Sequence, residues 1–319
     1  MMPLLSVRDL QITFPSGRGS CSVVDGVSFD VAEGEALGIV GESGSGKSIS
    51  SLALLGMVPK PGAVSGDIRF EGREMRALSE KDLRGIRGSK LAMIFQDPMT
   101  SLNPFLRVWV QIAEATRAHL GHSRGQAREH AIRMLEAVGI PDASTRAAYY
   151  PHQFSGGMRQ RVMIAIALAC RPRLLIADEP TTALDVTIQA QILDLLRERR
   201  RDTRTALILI THDLGIIAEN TDRVLVMYAG RIMESAPAAE LFRNPQNPYT
   251  RALLRCIPEA GRREGPLFQI AGQPPDVASL PPGQCPFAAR CLEVVDRCRQ
   301  ESPPYHAVGE DHWSMCWVR

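Results

Sequence analysis

The chain has 319 residues, room for one large or two ordinary domains. Its hydrophobic content of 45% and charged content of 23% are those of a globular protein, and a formal net charge of +2 gives no reason to expect nucleic acid or an acidic surface as partner. The stretch Met1 to Asp9 lacks the basic region and long apolar run of a secretory signal, and no apolar run approaches the ~20 residues of a membrane span. The expectation is a chain that is cytoplasmic, or held at a membrane only through a partner.

The first elements read as strands. Leu5–Val7 and Leu10–Phe14 alternate apolar and polar residues, Pro15–Ser20 turns, and Cys21–Val31 resumes the strand. Ala36–Val40 is short and mostly apolar, the pattern of a buried strand. It runs into Gly41-x4-Gly46-Lys47-Ser48, a phosphate-binding loop. Glycines there allow a tight turn that aims successive N–H groups at a phosphate. Lys47 adds a point charge for the β- and γ-phosphates, and Ser48 a hydroxyl for Mg²⁺. The helix expected over Ile49–Met57 turns its positive N-terminus to the same phosphates.

Beyond a stop at Pro59–Gly62, Ser65–Gly72 reads as a hairpin arm and Ser79–Arg87 as a short helix capped by Ser79. Leu91–Phe95 is another buried strand, ended by Gln96-Asp97-Pro98. Over 99–150 strand character vanishes. Val108–Leu120 and Gln126–Val138 carry helical spacing, the second closed by Gly139 and Pro141, which together read as a helical insertion. Phe154-Ser155-Gly156-Gly157-Met158-Arg159-Gln160 opens a helix to about Cys170. Strands at Arg173–Ala177, Ala206–Ile210 and Val224–Tyr228 then alternate with a helix over Val186–Arg200, and Val224–Tyr228 is expected to close the core. Alternation of this kind specifies an α/β fold with a mainly parallel sheet covered on both faces, whose functional residues lie at the carboxyl ends of strands.

Gln96, Asp178, Glu179 and His212 all fall at such ends. Beside a phosphate-binding loop, Asp178 is the expected second anchor for Mg²⁺, and Glu179 can polarise an attacking water. Two adjacent carboxylates repel one another unless a cation is near. His212 can reach a γ-phosphate, and Gln96 the magnesium or the water. Ser155-Gly156-Gly157 ahead of a helix repeats the anion-binding logic of the first loop. The run Arg197–Arg204 ends a helix and reads as a solvated face.

Of the seven cysteines, Cys21, Cys170 and Cys256 are scattered and read as small buried apolar residues. The others follow the spacing Cys285-x5-Cys291-x6-Cys298-x17-Cys316, which points to metal more than to disulfides in a reducing compartment. Four thiolates suit either a tetrahedral zinc or a 4Fe-4S cluster. His306 and His312 lie nearby and are read as bystanders. From about Pro245 the composition shifts to proline-rich and aperiodic, which divides the chain into 1–245 and 246–319.

Over residues 4–235 this set resembles the ATP-binding-cassette (ABC) transporter ATPases. Gly41–Ser48 matches Walker A, Gln96 the Q-loop, Ser155–Gln160 the signature, Leu174–Glu179 Walker B with its glutamate, Ala183-Leu184-Asp185 the D-loop and His212 the switch histidine. The commonest signature is Leu-Ser-Gly-Gly-Gln; here Phe154 precedes it and Met158-Arg159-Gln160 follows the glycines. The resemblance implies a P-loop ATPase core with an antiparallel β subdomain and a helical subdomain over about 97–160. ATP and Mg²⁺ would be bound by Gly41, Glu42, Ser43, Gly44, Ser45, Gly46, Lys47, Ser48, Ile49, Gln96, Asp178 and His212, with Phe14 against the adenine. The metal would fall to Ser48, Gln96 and Asp178, and hydrolysis to Glu179, His212, Gln96 and Lys47. Two such domains pair head to tail, so Ser155, Gly156, Gly157, Met158, Arg159 and Gln160 would act on the partner's ATP.

Phe95–Pro104, Asn247–Leu254 and Leu280–Cys291 further resemble the dipeptide/oligopeptide importers. Some members of that group hold a 4Fe-4S cluster in this tail, which favours iron–sulfur over zinc, or over no metal, at Cys285, Cys291, Cys298 and Cys316. The resemblance implies a peripheral ATPase on the cytoplasmic face of the inner membrane. Its implied partners are a second ATPase subunit (a related paralogue, or a copy of itself), two transmembrane permeases and an extracytoplasmic peptide-binding protein. The alternatives are an importer of nickel chelates, glutathione or opine-like solutes, and a soluble ABC ATPase outside transport.

Overall fold

The computed structural model describes residues 2–17, 19–181, 186–257, 268–277, 280, 281 and 283–318. In chain order the strands are β1 (Leu5–Ser16), β2 (Gly19–Val31), β3 (Ala36–Val40), β4 (Ala63–Phe70), β5 (Arg73–Glu74), β6 (Leu91–Ile94), β7 (Leu174–Asp178), β8 (Ala206–Ile210), β9 (Arg223–Tyr228), β10 (Arg231–Pro237), β11 (Tyr305–Gly309) and β12 (His312–Met315). The helices are α1 (Lys47–Leu54), α2 (Glu80–Ile86), α3 (Pro98–Ser101), α4 (Val108–Leu120), α5 (Arg124–Ala137), α6 (Ala143–Arg146), α7 (Gly156–Leu168), α8 (Val186–Thr203), α9 (Leu214–Asn220), α10 (Ala238–Arg243) and α11 (Pro248–Arg255).

The chain divides into two compact units. The first comprises residues 1–31, 36–76 and 210–319. One of its sheets is antiparallel, in the order β2-β1-β4-β5, with Leu5, Val7, Leu10 and Ile12 of β1 fully buried. Its other strands run β11-β12-β10-β9-β3. Every residue of β3 is buried, as a strand covered on both faces requires. It pairs in parallel with β9, Leu37 opposite Arg223 and Val40 opposite Val226.

One expectation is corrected here. Val224–Tyr228 does not close the core, because β10 turns back on β9 in antiparallel fashion and β12 and β11 continue that way. The sheet is therefore mixed, with antiparallel strands added beyond β9. The chain's last hairpin joins it by pairing Glu234 with Ser314 and Ser235 with Trp313.

A buried polar knot fixes that join. The carboxylate of Glu234, with no exposed surface, accepts from Gln246 N (2.7 Å) and Asn247 N (3.0 Å) and pairs with His312 Nε2 (2.8 Å). His312 is thus turned toward the sheet, while His306 is exposed. Asn247 caps α11 by accepting from Tyr249 N, and Pro248 fills the first helical position, where no N–H is needed.

The second unit comprises residues 32–35 and 77–209. Its strands lie in the order β8-β7-β6, with β6 and β7 parallel. Both β7 and β8 are buried throughout. Helices α4, α5 and α7 pack together, as the loss of strand character over 99–150 requires. A capping box starts α5, where Ser123 Oγ accepts from Gln126 N and Gln126 Oε1 from Ser123 N. The basic run ending α8 is only partly a solvated face: Arg197 meets Asp194 at 3.0 Å, but Arg200 donates to the Gly34 carbonyl at 2.8 Å. Cys21, Cys170 and Cys256 are half-buried rather than buried, which corrects their reading as core residues.

Candidate nucleotide site and cysteine cluster

In the first unit the loop after β3 is already shaped. Gly41 adopts φ +153° and Gly46 φ +100°. A Cβ on Gly41 would collide with the Met227 carbonyl, and one on Gly46 would lie 2.9 Å from the Val23 carbonyl, so both positions require glycine. Lys47, 7% exposed, donates from Nζ to the carbonyls of Gly41 (2.8 Å) and Glu42 (2.9 Å) and to Ser45 Oγ (3.2 Å). The lysine thus braces the loop that it serves. Ser43, Gly44 and Ser48 are exposed, Glu42 and Ile49 half-buried, and Ser45 buried. Exposed backbone at the start of an eight-residue helix is the arrangement expected for an anion, and the exposed Ser48 hydroxyl suits a hydrated Mg²⁺.

His212 lies in the same unit and is exposed. The next residue, Asp213, caps α9 by accepting from Gly215 N (2.8 Å) and Ile216 N (3.2 Å), which fixes the backbone on which His212 stands. Phe14 is half-buried near the end of β1, opposite Cys21, with its ring against Gly62.

The second unit brings together Gln96 and Glu179, with Gln96 Nε2 donating to Glu179 Oε2 at 3.3 Å. Asp178, 3% exposed, is the last residue of β7. Glu179 then takes φ +48°, a conformation that costs a non-glycine residue energy. The chain thereby leaves the strand so that the two carboxylates have different surroundings, Asp178 inside and Glu179 half-buried.

Ser155 caps α7, its Oγ accepting from Met158 N at 3.4 Å. Ser155 and Gly156 are exposed and Gly157 half-exposed, so this helix N-terminus is open. In the rest of the signature Met158 and Arg159 are half-buried and Gln160 is buried. Met158 Sδ accepts from Arg146 (3.4 Å), and Arg159 Nε donates to the Phe154 carbonyl (2.9 Å). Gln160, 1% exposed, donates to the Pro180 carbonyl at 2.6 Å, just past Glu179. That bond ties α7 to the turn that carries the carboxylates. Ala183-Leu184-Asp185, with the D-loop aspartate Asp185, lies outside the described residues.

The four late cysteines are neighbours in the first unit. Cys285, Cys298 and Cys316 are buried and Cys291 is half-buried. Cys285 N donates to the Cys298 carbonyl at 2.9 Å. Three sulfurs accept an N–H from two residues on: Cys285 from Phe287, Cys291 from Glu293 (3.4 Å) and Cys316 from Val318 (3.4 Å). Such bonds favour thiolate over thiol. Burial works the other way, pushing the Cys285 thiol up to about 12 and those of Cys291 and Cys316 above their ordinary value. Among the described residues no three His, Cys, Asp or Glu side chains are grouped so that they could hold a metal ion.

Arg290 and Tyr249, unassigned from sequence, both reach Glu42 in the phosphate-binding loop. No local pattern marks a pair 248 residues apart.

The family model for the ABC transporter matches residues 24–182, and that for the C-terminal region of oligopeptide/dipeptide transporters matches 233–298. The oligopeptide transport ATP-binding protein OppD of Salmonella typhimurium is 49% identical over 98% of this chain and 93% of its own length. The dipeptide transport ATP-binding protein DppD of Bacillus subtilis is 49% identical over 100% and 96%. Among solved structures, the dimeric ATP-binding cassette MJ0796, in a post-hydrolysis state with ADP and phosphate, superposes with a TM-score of 0.67 at 25% identity, covering 73% of this chain and 98% of that one. Glycine-braced phosphate loop, paired carboxylates, open signature helix and full-length likeness agree: the chain belongs to the family of ATP-binding subunits of oligopeptide and dipeptide ABC transporters.

Proposed function

We propose that this chain is the ATP-hydrolysing subunit of an importer that carries di- and oligopeptides across the cytoplasmic membrane. The observation that carries the reading is likeness over the whole chain, tail included, to subunits named for oligopeptide and dipeptide transport. An importer of nickel chelates, glutathione or opine-like solutes, and a soluble ABC ATPase, lack that support.

The proposed roles follow the chemistry of each group. Lys47 and the amides of Gly41–Ser48 hold the phosphates. Ser48, Asp178 and Gln96 are the oxygen donors for Mg²⁺, which would neutralise charge on the phosphates. Glu179 orients and polarises the attacking water, and the Gln96 amide holds that carboxylate in place. His212 faces the γ-phosphate and Phe14 the adenine. Ser155, Gly156 and Gly157 meet the ATP of a second ATPase subunit, related or identical, and Asp185 belongs to the same interface. Residues 1–245 form the ATPase and 246–319 the extension.

Among the described residues no helix is long and apolar enough to cross a membrane. We place the subunit at the inner membrane through two permeases, served by an extracytoplasmic peptide-binding protein. Sedimentation with membranes only when the permeases are co-expressed, and ATPase activity stimulated by peptide-loaded binding protein, is the expected result. Membrane-independent, peptide-insensitive hydrolysis would contradict it.

For Cys285, Cys291, Cys298 and Cys316 we propose a 4Fe-4S cluster in preference to zinc. The all-sulfur donor set and three N–H···S bonds fit a thiolate-ligated group, as would a zinc. Iron and acid-labile sulfide in anaerobically purified protein decide between them. Zinc without iron, or a colourless, folded, metal-free protein, overturns the assignment.

A further inference from the structure

Glu42, the second residue of the phosphate-binding loop, is held at three points. Its N–H donates to Tyr249 Oη (3.0 Å), its carbonyl accepts from Lys47 Nζ (2.9 Å), and its carboxylate receives both Nη1 (2.5 Å) and Nη2 (2.9 Å) of Arg290. Two of these holds come from the C-terminal region. The Arg290 side chain is only 6% exposed, donates further to Tyr228 Oη (3.2 Å) and the Ala271 carbonyl (2.9 Å), and its guanidinium lies 5.8 Å over the Tyr228 ring. Behind it Tyr228, Tyr249 and Phe287 pack ring on ring, with centroids 4.6 to 5.3 Å apart. A two-pronged guanidinium–carboxylate pair on a packed aromatic base sets both position and orientation.

A carboxylate in a loop meant for a triphosphate is an electrostatic liability, since like charges in a partly desolvated site repel. Arg290 cancels that charge and fixes the backbone whose carbonyl Lys47 also uses. We propose that Arg290 is a positioning residue for nucleotide binding: through Glu42 it pre-organises and neutralises the first turn of the phosphate loop, so the C-terminal extension is a working part of the ATP site. This rests on the ATP-binding reading above.

The test is equilibrium titration of the full-length chain with a fluorescent ATP analogue and Mg²⁺, at low and high salt, with circular dichroism to confirm folding. Arg290→Gln is expected to weaken binding about tenfold, equivalent to about 1.4 kcal/mol. The loss is larger at low ionic strength, because the exposed negative charge is then less screened. Adding Glu42→Gln to Arg290→Gln is expected to recover most of the lost affinity, and Arg290→Lys, which keeps the charge but not the fork, to fall between. Unchanged affinity in Arg290→Gln overturns the proposal. So does a double variant as weak as the single, or Arg290→Lys as weak as Arg290→Gln, because a purely structural arginine gives those patterns. A wild-type chain that binds no ATP would overturn the underlying reading instead.

Discussion

Replacing Asn247 tests how the extension is fastened to the sheet. Asn247 is 1% exposed and uses both ends of its amide. Oδ1 caps α11 through Tyr249 N at 3.0 Å, while Nδ2 donates to the carbonyls of Met233 (3.1 Å) and Met315 (3.0 Å) and, more weakly, to Ser314 Oγ (3.4 Å). In Asn247→Ala, loss of the cap costs about 1 kcal/mol. Each buried carbonyl deprived of its donor costs about 1–3 kcal/mol before relaxation or water entry. These costs total about 3–7 kcal/mol, and relaxation trims the expected destabilisation to about 3–5 kcal/mol, at the upper end for single substitutions. Asn247→Asp preserves the cap but removes the donors and sets a second carboxylate beside Glu234, which already accepts from Asn247 N at 3.0 Å; it is expected to be worse than alanine. The assay is urea unfolding followed by tryptophan fluorescence. Trp313 on β12 and Trp317 under Arg297 at 3.5 Å report the extension directly. A cost below about 1 kcal/mol for alanine, or an aspartate variant as stable as wild type, would refute the reasoning.

Four further outcomes are expected. Glu179→Gln should lower the hydrolysis rate by at least about a hundredfold while leaving ATP affinity near wild type, as loss of a group acting in the reaction rather than in binding requires; single-turnover kinetics and nucleotide titration check the split. Gly41→Ala forces a Cβ into the Met227 carbonyl at a positive φ, so nucleotide binding should be lost with the rest of the fold intact by circular dichroism. Gln160→Ala, which removes the bond to the Pro180 carbonyl, should lower turnover by disturbing the turn carrying Glu179, whereas Gln160→Glu puts a charge into a 1% exposed position and should destabilise the chain as well. Burial raises the Tyr228 and Tyr249 hydroxyls above the ordinary phenol range. The folded chain then keeps protons that the unfolded chain releases. Stability is fully present below pH ~10 and lost above it, and the 295 nm titration should show part of the five tyrosines ionising only with unfolding.

What the sequence disclosed is what local chemistry encodes. The loop Gly41–Ser48 was legible because its glycines, lysine and serine must stand at fixed spacing around a phosphate. Buried β3, β7 and β8 were legible because apolar runs bounded by turns leave few alternatives. Strand β10 was missed because Glu234 interrupts its apolar pattern, and the charge is tolerated only through contacts from outside the strand, from Gln246 and Asn247 and, 78 residues on, from His312. The left-handed backbone of Glu179 has no signature, since glutamate rarely adopts it. Gln160 sits in the signature but points inward, a distinction helix spacing could not make for a run that changes from exposed to buried within one turn. The hold of Arg290 on Glu42 depends on tertiary folding alone.

The most direct test of the central claim is transport itself. The chain is assembled with two permeases, a second ATPase subunit and the peptide-binding protein in proteoliposomes, and ATP-dependent accumulation of a labelled oligopeptide is measured. Accumulation is predicted with wild type and abolished with Glu179→Gln. Uptake that persists in Glu179→Gln, or ATP hydrolysis with no peptide accumulation under conditions where a nickel chelate or glutathione is carried, would contradict it.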